Sequence, residues 1–172
     1  MKKIRQQKEG LYDPKNEHDA CGIGFVANIK GIKSHSIVNN GLEMLENLEH
    51  RGAVGSDKSV GDGAGILTQI PHDFFGTSLK KAKVTLPSYG SYGVAMIFFP
   101  QDKKLIIKCK KIIQAVLKVY DLKVFYERFV PVNNRVLSKV MTNSAPSIQQ
   151  LFIKHKFEKI VSDKLNTKLF LV

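Results

Sequence analysis

The stretch Glu17-His18-Asp19-Ala20-Cys21-Gly22-Ile23-Gly24-Phe25-Val26-Ala27-Asn28-Ile29 divides two kinds of sequence. Before Cys21 the chain is polar and charge-mixed, with no hydrophobic periodicity. From Cys21 to Ile29 it is apolar with two glycines, a pattern that predicts the first strand of a folded domain. A cysteine that opens a first strand suggests the N-terminus of a mature protein, with residues 1–20 as a removable, propeptide-like leader. Cys21 would then carry a thiol and a free α-amino group on one residue, which together make a nucleophile and its base. The thiolate is the attacking form, and a free thiol is mostly protonated at neutral pH. An α-amino group titrates near ~7.7–8.0, against ~10.4 for lysine, so it can act as a base at working pH. Its tether to the sulfur fixes orientation in advance. The competing reading is that Cys21 is a small buried hydrophobe, as most free cysteines are.

Outward from that stretch, composition sets bounds. A chain of 172 residues with 43% hydrophobic content suffices for one domain with a sizeable core and argues against disorder. No run approaches the roughly 20 apolar residues of a membrane span. The leader lacks the apolar segment of a secretory signal. Two cysteines, Cys21 and Cys109, give no disulfide framework, which fits a reducing cytoplasm. The net charge of +12 is unevenly spread. Residues 101–172 carry fifteen basic and five acidic side chains, a net +10, whereas residues 1–100 are near neutral. The lysines are scattered, with no compact block and no nucleic-acid recognition motif. A solvated face, or a surface that meets an acidic partner, is the better reading.

Along the chain, Val38, Leu42, Leu45 and Leu48 recur at helical spacing and predict a helix from about Ser36 to Glu49, ending near Arg51-Gly52. Gly55 to Gly65 reads as a turn-rich loop. It lacks the last glycine of a dinucleotide fingerprint, and no Gly-Lys-Ser/Thr follows. Ile66–Ile70 is expected as a short strand, Pro71 opens a helical turn through Phe74-Phe75, and residues 76–91 read mostly as linker. Tyr92–Phe99 predicts a strongly apolar strand closed by Pro100. Asp102 then caps a long helix whose inner stripe is expected to be Leu105, Cys109, Ile112, Ile113, Val116, Leu117 and Tyr120. Cys109 is therefore read as core. Leu122–Val130 predicts a strand, Asn134–Met141 a short helix, and Ser147–His155 a strand of imperfect periodicity. Beyond Lys156 the signal is poor.

Five ordered blocks now carry a resemblance. Gly10-Leu11-Tyr12-Asp13-Pro14 with Glu17–Val26, then Leu48-Glu49-His50-Arg51-Gly52-Ala53, then Gly61-Asp62-Gly63-Ala64-Gly65-Ile66-Leu67, Gln69-Ile70-Pro71-His72 and Tyr92–Asp102 resemble the start of the glutamate synthase large subunit. The first domain of that family is a class II (N-terminal nucleophile) glutamine amidotransferase. The resemblance implies an α+β fold, an αββα sandwich of antiparallel sheets of the N-terminal-nucleophile hydrolase kind, incomplete in this piece. It implies residues 21–172 as the front of that domain. Cys21 is the implied nucleophile toward L-glutamine, and Arg51 with Gly52 the implied substrate-binding pair. An arginine fork matches the two oxygens of a carboxylate. Gly22 and Gly24 would either open the nucleophile to substrate or serve strand packing. FMN and an iron–sulfur cluster are implied for the remaining synthase region and not for this chain. That region is the implied protein partner, with no nucleic acid and no membrane.

The pattern is also departed from. The family's downstream asparagine-glycine pair, which forms its oxyanion hole, and a later substrate-binding aspartate have no counterpart in matched context. Asn40-Gly41 falls inside the predicted first helix, and Tyr126-Glu127-Arg128 stands where the family more often has glycine-tryptophan-arginine. These departures predict a truncated piece, weak or inactive alone. The alternative is a non-catalytic remnant or interaction module whose basic last third is the working surface.

Overall fold

The computed structural model describes residues 22–48, 63–157 and 162–172. The chain divides into two compact units, Met1–Leu67 and Thr68–Val172.

The second unit is built on a three-stranded antiparallel sheet: β1 (Tyr92–Phe99), β2 (Leu122–Phe129) and β3 (Ser147–His155), in spatial order β1-β3-β2. Both outer strands run antiparallel to β3, so they are parallel to each other. Parallel strands need a long crossover, and helix α3 (Lys103–Val119) supplies it. The Asp102 carboxylate accepts from the backbone N–H groups of Lys104 and Leu105, which caps α3 as its sequence predicts. Asp121 follows the helix at φ +57°, a left-handed turn residue of the type that tolerates this conformation.

Each sheet face has its own core. On one, α2 (His72–Lys80) lays Phe75 and Leu79 against Tyr92 and Phe152. On the other, α3 and α5 (Ser162–Phe170) bring Leu117 and Leu165 onto Phe99, Leu122, Leu151 and Ile153. β3 lies between its neighbours with both faces covered, so Gln149–Ile153 are all buried. That explains its broken alternation, because a strand covered on both sides has no reason to alternate. A bulge between Val124 and Tyr126 turns two successive rings, Phe125 and Tyr126, onto the aromatic face.

Several expectations need correction. Gly22–Asn28 is irregular and pairs with no strand among the described residues; Ile23 and Phe25 are exposed there. The stretch does end where expected, in a turn in which Asn28 Oδ1 accepts from Lys30 N and Gly31 has φ +67°. Ile66–Ile70 is likewise irregular. The predicted helical turn at Pro71 continues through Lys80, into the stretch read as linker, because Leu79 is a core residue. The predicted helix Asn134–Met141 is a 3₁₀ turn, Asn134–Val136, followed by α4 (Lys139–Ser144). The residues read as poor signal include α5. On α3 the inward stripe is Ile106, Cys109, Ile113, Leu117 and Tyr120, while Leu105, Ile112 and Val116 are exposed. Cys109 packs against the core as expected.

Candidate active site

The described part of the first unit holds what flanks the expected site. Helix α1 (His35–Asn47) begins at Ser34, whose Oγ accepts from the Ser36 backbone N–H. Its half-buried line is Ile37, Val38, Gly41, Met44, Leu45 and Leu48, with Glu43 and Glu46 exposed. Leu42, expected on the inner stripe, is exposed instead.

The reason lies in the glycines. The irregular segment after Cys21 runs along α1 so closely that a β-carbon on Gly24 would collide with the Met44 sulfur. One on Gly22 would stand 2.9 Å from Leu48 Cδ2. Glycine lets the segment approach α1 without pushing aside the ends of the Met44 and Leu48 side chains. Gly41 lies within α1, as the sequence indicates for Asn40-Gly41, and Ile66 fills the space a side chain there would occupy. Of the two roles expected for these glycines, an opening for substrate or strand packing, the second is replaced by packing against a helix. Cys21, Arg51 and Gly52, with His18, His50 and the loop up to Asp62, lie outside the described residues.

In the second unit two polar clusters flank the aromatic and aliphatic cores. His72 Nδ1 and the Tyr92 hydroxyl are 3.0 Å apart, and Tyr89 meets the His72 ring edge-on. Burial pushes the Tyr92 phenol above its ordinary value, and the neighbouring Tyr89 adds to this. Tyr92 therefore remains neutral at working pH, hydrogen-bonded to His72 Nδ1. Arg128 donates to Gln150 Oε1 at 2.7 Å and lies over the Phe74 ring. Glu127 pairs with Lys110. Two of the three residues Tyr126-Glu127-Arg128 therefore have polar partners within this unit, and Tyr126 packs on Phe152.

Residues 21–172 match the family described as glutamine amidotransferases class-II. The chain belongs to that family. It is 41% identical over 174 aligned residues to the NADH glutamate synthase of Saccharomyces cerevisiae, covering 96% of this chain and 8% of that protein. It is 46% identical over 145 residues to the NADPH glutamate synthase large chain of Bacillus subtilis, covering 84% and 9%. To ferredoxin-dependent glutamate synthase 1 of Arabidopsis thaliana it is 38% identical over 160 residues, covering 93% and 10%. The chain thus spans about a tenth or less of the length of these relatives. It is a class II glutamine amidotransferase domain homologous to glutamate synthases, which are enzymes. The observed fold, mixed helix with an antiparallel sheet, agrees with that family.

An iron–sulfur cluster does not fit this chain. Such clusters take about four cysteine thiolates, and the sequence has two cysteines, of which Cys109 faces the core of α3. Among the described residues no helix is long and apolar enough to cross a membrane.

Proposed function

We propose that this chain is the glutamine-hydrolysing part of a glutamate synthase, with Cys21 as nucleophile once residues 1–20 are removed. The observation that carries the reading is that the family match opens on Cys21 itself. The neutral α-amino group takes the thiol proton, and the sulfur attacks the side-chain amide carbon of L-glutamine. The carbon–nitrogen bond of the tetrahedral adduct breaks, and the α-amino group returns the proton to the leaving ammonia. Water then attacks the γ-glutamyl thioester, releasing glutamate and restoring the thiol. Arg51 and Gly52, just beyond α1, hold the substrate carboxylate.

In this reading residues 21–172 form the front of an αββα sandwich in which the observed sheet is part of one layer. The remaining synthase polypeptide supplies the second layer, the oxyanion donors, FMN and the iron–sulfur cluster, and receives the ammonia. Losing one oxyanion donor costs ~10²–10³ in rate, so the chain alone is expected to turn over poorly. The setting is cytoplasmic, with neither nucleic acid nor membrane as partner.

The test is intact-mass and N-terminal analysis of the chain after treatment with an electrophilic glutamine analogue. The expected product begins at Cys21 and carries one label there. A chain that keeps its leader and leaves Cys21 unlabelled refutes the nucleophile assignment and favours a non-catalytic module.

A further inference from the structure

Leu48 stands between the two parts of the expected site. Its side chain meets the segment that follows Cys21: a β-carbon on Gly22 would stand 2.9 Å from Leu48 Cδ2 and 3.2 Å from Cδ1. Gly22 is the residue bonded to Cys21, and the sequence reaches Arg51-Gly52 shortly after Leu48. Leu48 is also the C-cap of α1, and its backbone N–H lies 3.1 Å from each of the Met44 and Leu45 carbonyl oxygens. The residue that receives Gly22 is thus itself tied to the helix.

Met44 makes the companion contact one turn earlier, where a β-carbon on Gly24 would collide with its sulfur. Gly22 and Gly24 are two residues apart, and two residues of chain span at most about 7 Å. Met44 and Leu48 are four apart on one helix face, which is about 6 Å along the axis. The two repeats match, so both contacts form together and the segment runs antiparallel to α1. A slip of one residue would put the Ile23 side chain where a glycine now lies, and in the observed register Ile23 is 97% exposed. The glycine-isoleucine-glycine alternation therefore fixes one register of the segment on the helix.

We propose that Leu48 and Met44 are positioning residues for the Cys21 nucleophile. They hold Gly22 and Gly24 in register on α1, and through the peptide bond to Gly22 they set where the thiol and the α-amino group stand. This rests on the reading of Cys21 as nucleophile. Leu48→Ala leaves Gly22 without its support. A misplacement of about 1 Å can cost about 10²-fold in rate without any change in the reacting groups.

The experiment uses the full chain and follows the Cys21 peptide by mass spectrometry. One reagent is the electrophilic glutamine analogue, which needs the thiol placed against a bound ligand; the other is iodoacetamide, which needs only an accessible thiol. Leu48→Ala should lower the saturating rate of labelling by the analogue roughly tenfold or more, with the iodoacetamide rate changed by less than about twofold. Met44→Ala should act in the same direction, and Leu48→Met, which keeps the volume, should restore most of the rate. Leu48→Val, a smaller truncation, answers the question if Leu48→Ala does not fold. Ile37→Ala, half-buried near the start of α1, controls for lost helix stability and should leave the rate unchanged. A labelled parent whose Leu48 and Met44 variants react equally fast overturns the inference and leaves the nucleophile reading standing. Equal slowing by Ile37→Ala, or an equal fall with iodoacetamide, also overturns it, because the loss is then one of fold. A parent unlabelled at Cys21 overturns the nucleophile reading and this inference with it.

Discussion

Phe152→Ala and Phe98→Ala form a matched pair that tests whether the aromatic face of the sheet is a core. Both phenylalanines belong to adjacent strands and point to the same face. Phe98 pairs in register with Ile148, Phe152 with Val94, and register positions two apart share a side. They differ in cover: Phe152 is fully buried, whereas Phe98 is 63% exposed. Phe152 touches four rings, with centroids 5.0 Å away for Phe75, 5.9 Å for Tyr126, 6.0 Å for Phe125 and 6.4 Å for Tyr92. A buried Phe→Ala change costs about 3–5 kcal/mol. The upper half of that range applies here. β3 is held by ladders on both sides and cannot move to fill the void, and aromatic pairs worth about 0.5–1.5 kcal/mol each lose their partner. With a slope of about 1–3 kcal/mol per molar urea, the midpoint should fall by roughly 1.3–5 M. Phe98→Ala should shift it by no more than the ~0.5 kcal/mol typical of surface changes. Urea titration followed by circular dichroism and tyrosine fluorescence gives both numbers. Equal shifts would refute the assignment of Phe152 to a buried core and, with it, the seating of α2 on this face.

Three further outcomes follow from particular contacts. Asp102→Ala removes the cap of α3 and should cost about 1 kcal/mol, read as a lowered melting temperature, while Asp102→Asn should recover most of it. Tyr92→Phe bears on alkaline stability. The folded-state value of Tyr92 is raised, so its contribution is complete below the unfolded value near ~10 and is lost as pH rises through the folded one. The variant should therefore lose less stability than the parent above about pH 10; parallel pH profiles of unfolding would contradict the burial of the phenol. Cys109, half-buried against the α3 core, should be alkylated by iodoacetamide at least roughly tenfold more slowly in the native chain than in urea, as mass spectrometry of the modified peptide measures.

Legibility in the sequence followed the range of the forces involved. β1, β2, β3 and the start of α3 were readable because their signals are local: an apolar run closed by Pro100, an aspartate before a periodic stretch, β-rich residues between turns. The N-cap at Asp102 was readable to the residue. Failures came where a partner decides the outcome. Gly22–Asn28 has the composition of a strand, but a strand needs an edge to pair with, and this segment lies against α1 instead. Leu79 and Leu165 are single apolar residues in polar surroundings, too sparse to signal a helix, yet each is almost fully buried because the sheet faces needed covering. Resemblance to a family supplied Cys21, Arg51 and Gly52, which spacing alone could not have selected.

The stripe expected on α3 deserves a physical explanation, since its failure was informative. Leu105, Ile112 and Val116 continue the hydrophobic pattern of Ile106, Cys109, Ile113 and Leu117 so smoothly that periodicity merges them into one face. Periodicity reports which side chains avoid water, and not which neighbour provides the shelter. The sheet shelters one line only, because three strands cover one side of a helix and leave its flank open. Leu105, Ile112 and Val116 therefore stay exposed beside the covered stripe, and a period of 3.6 residues cannot tell the two lines apart when they are neighbours on one helix.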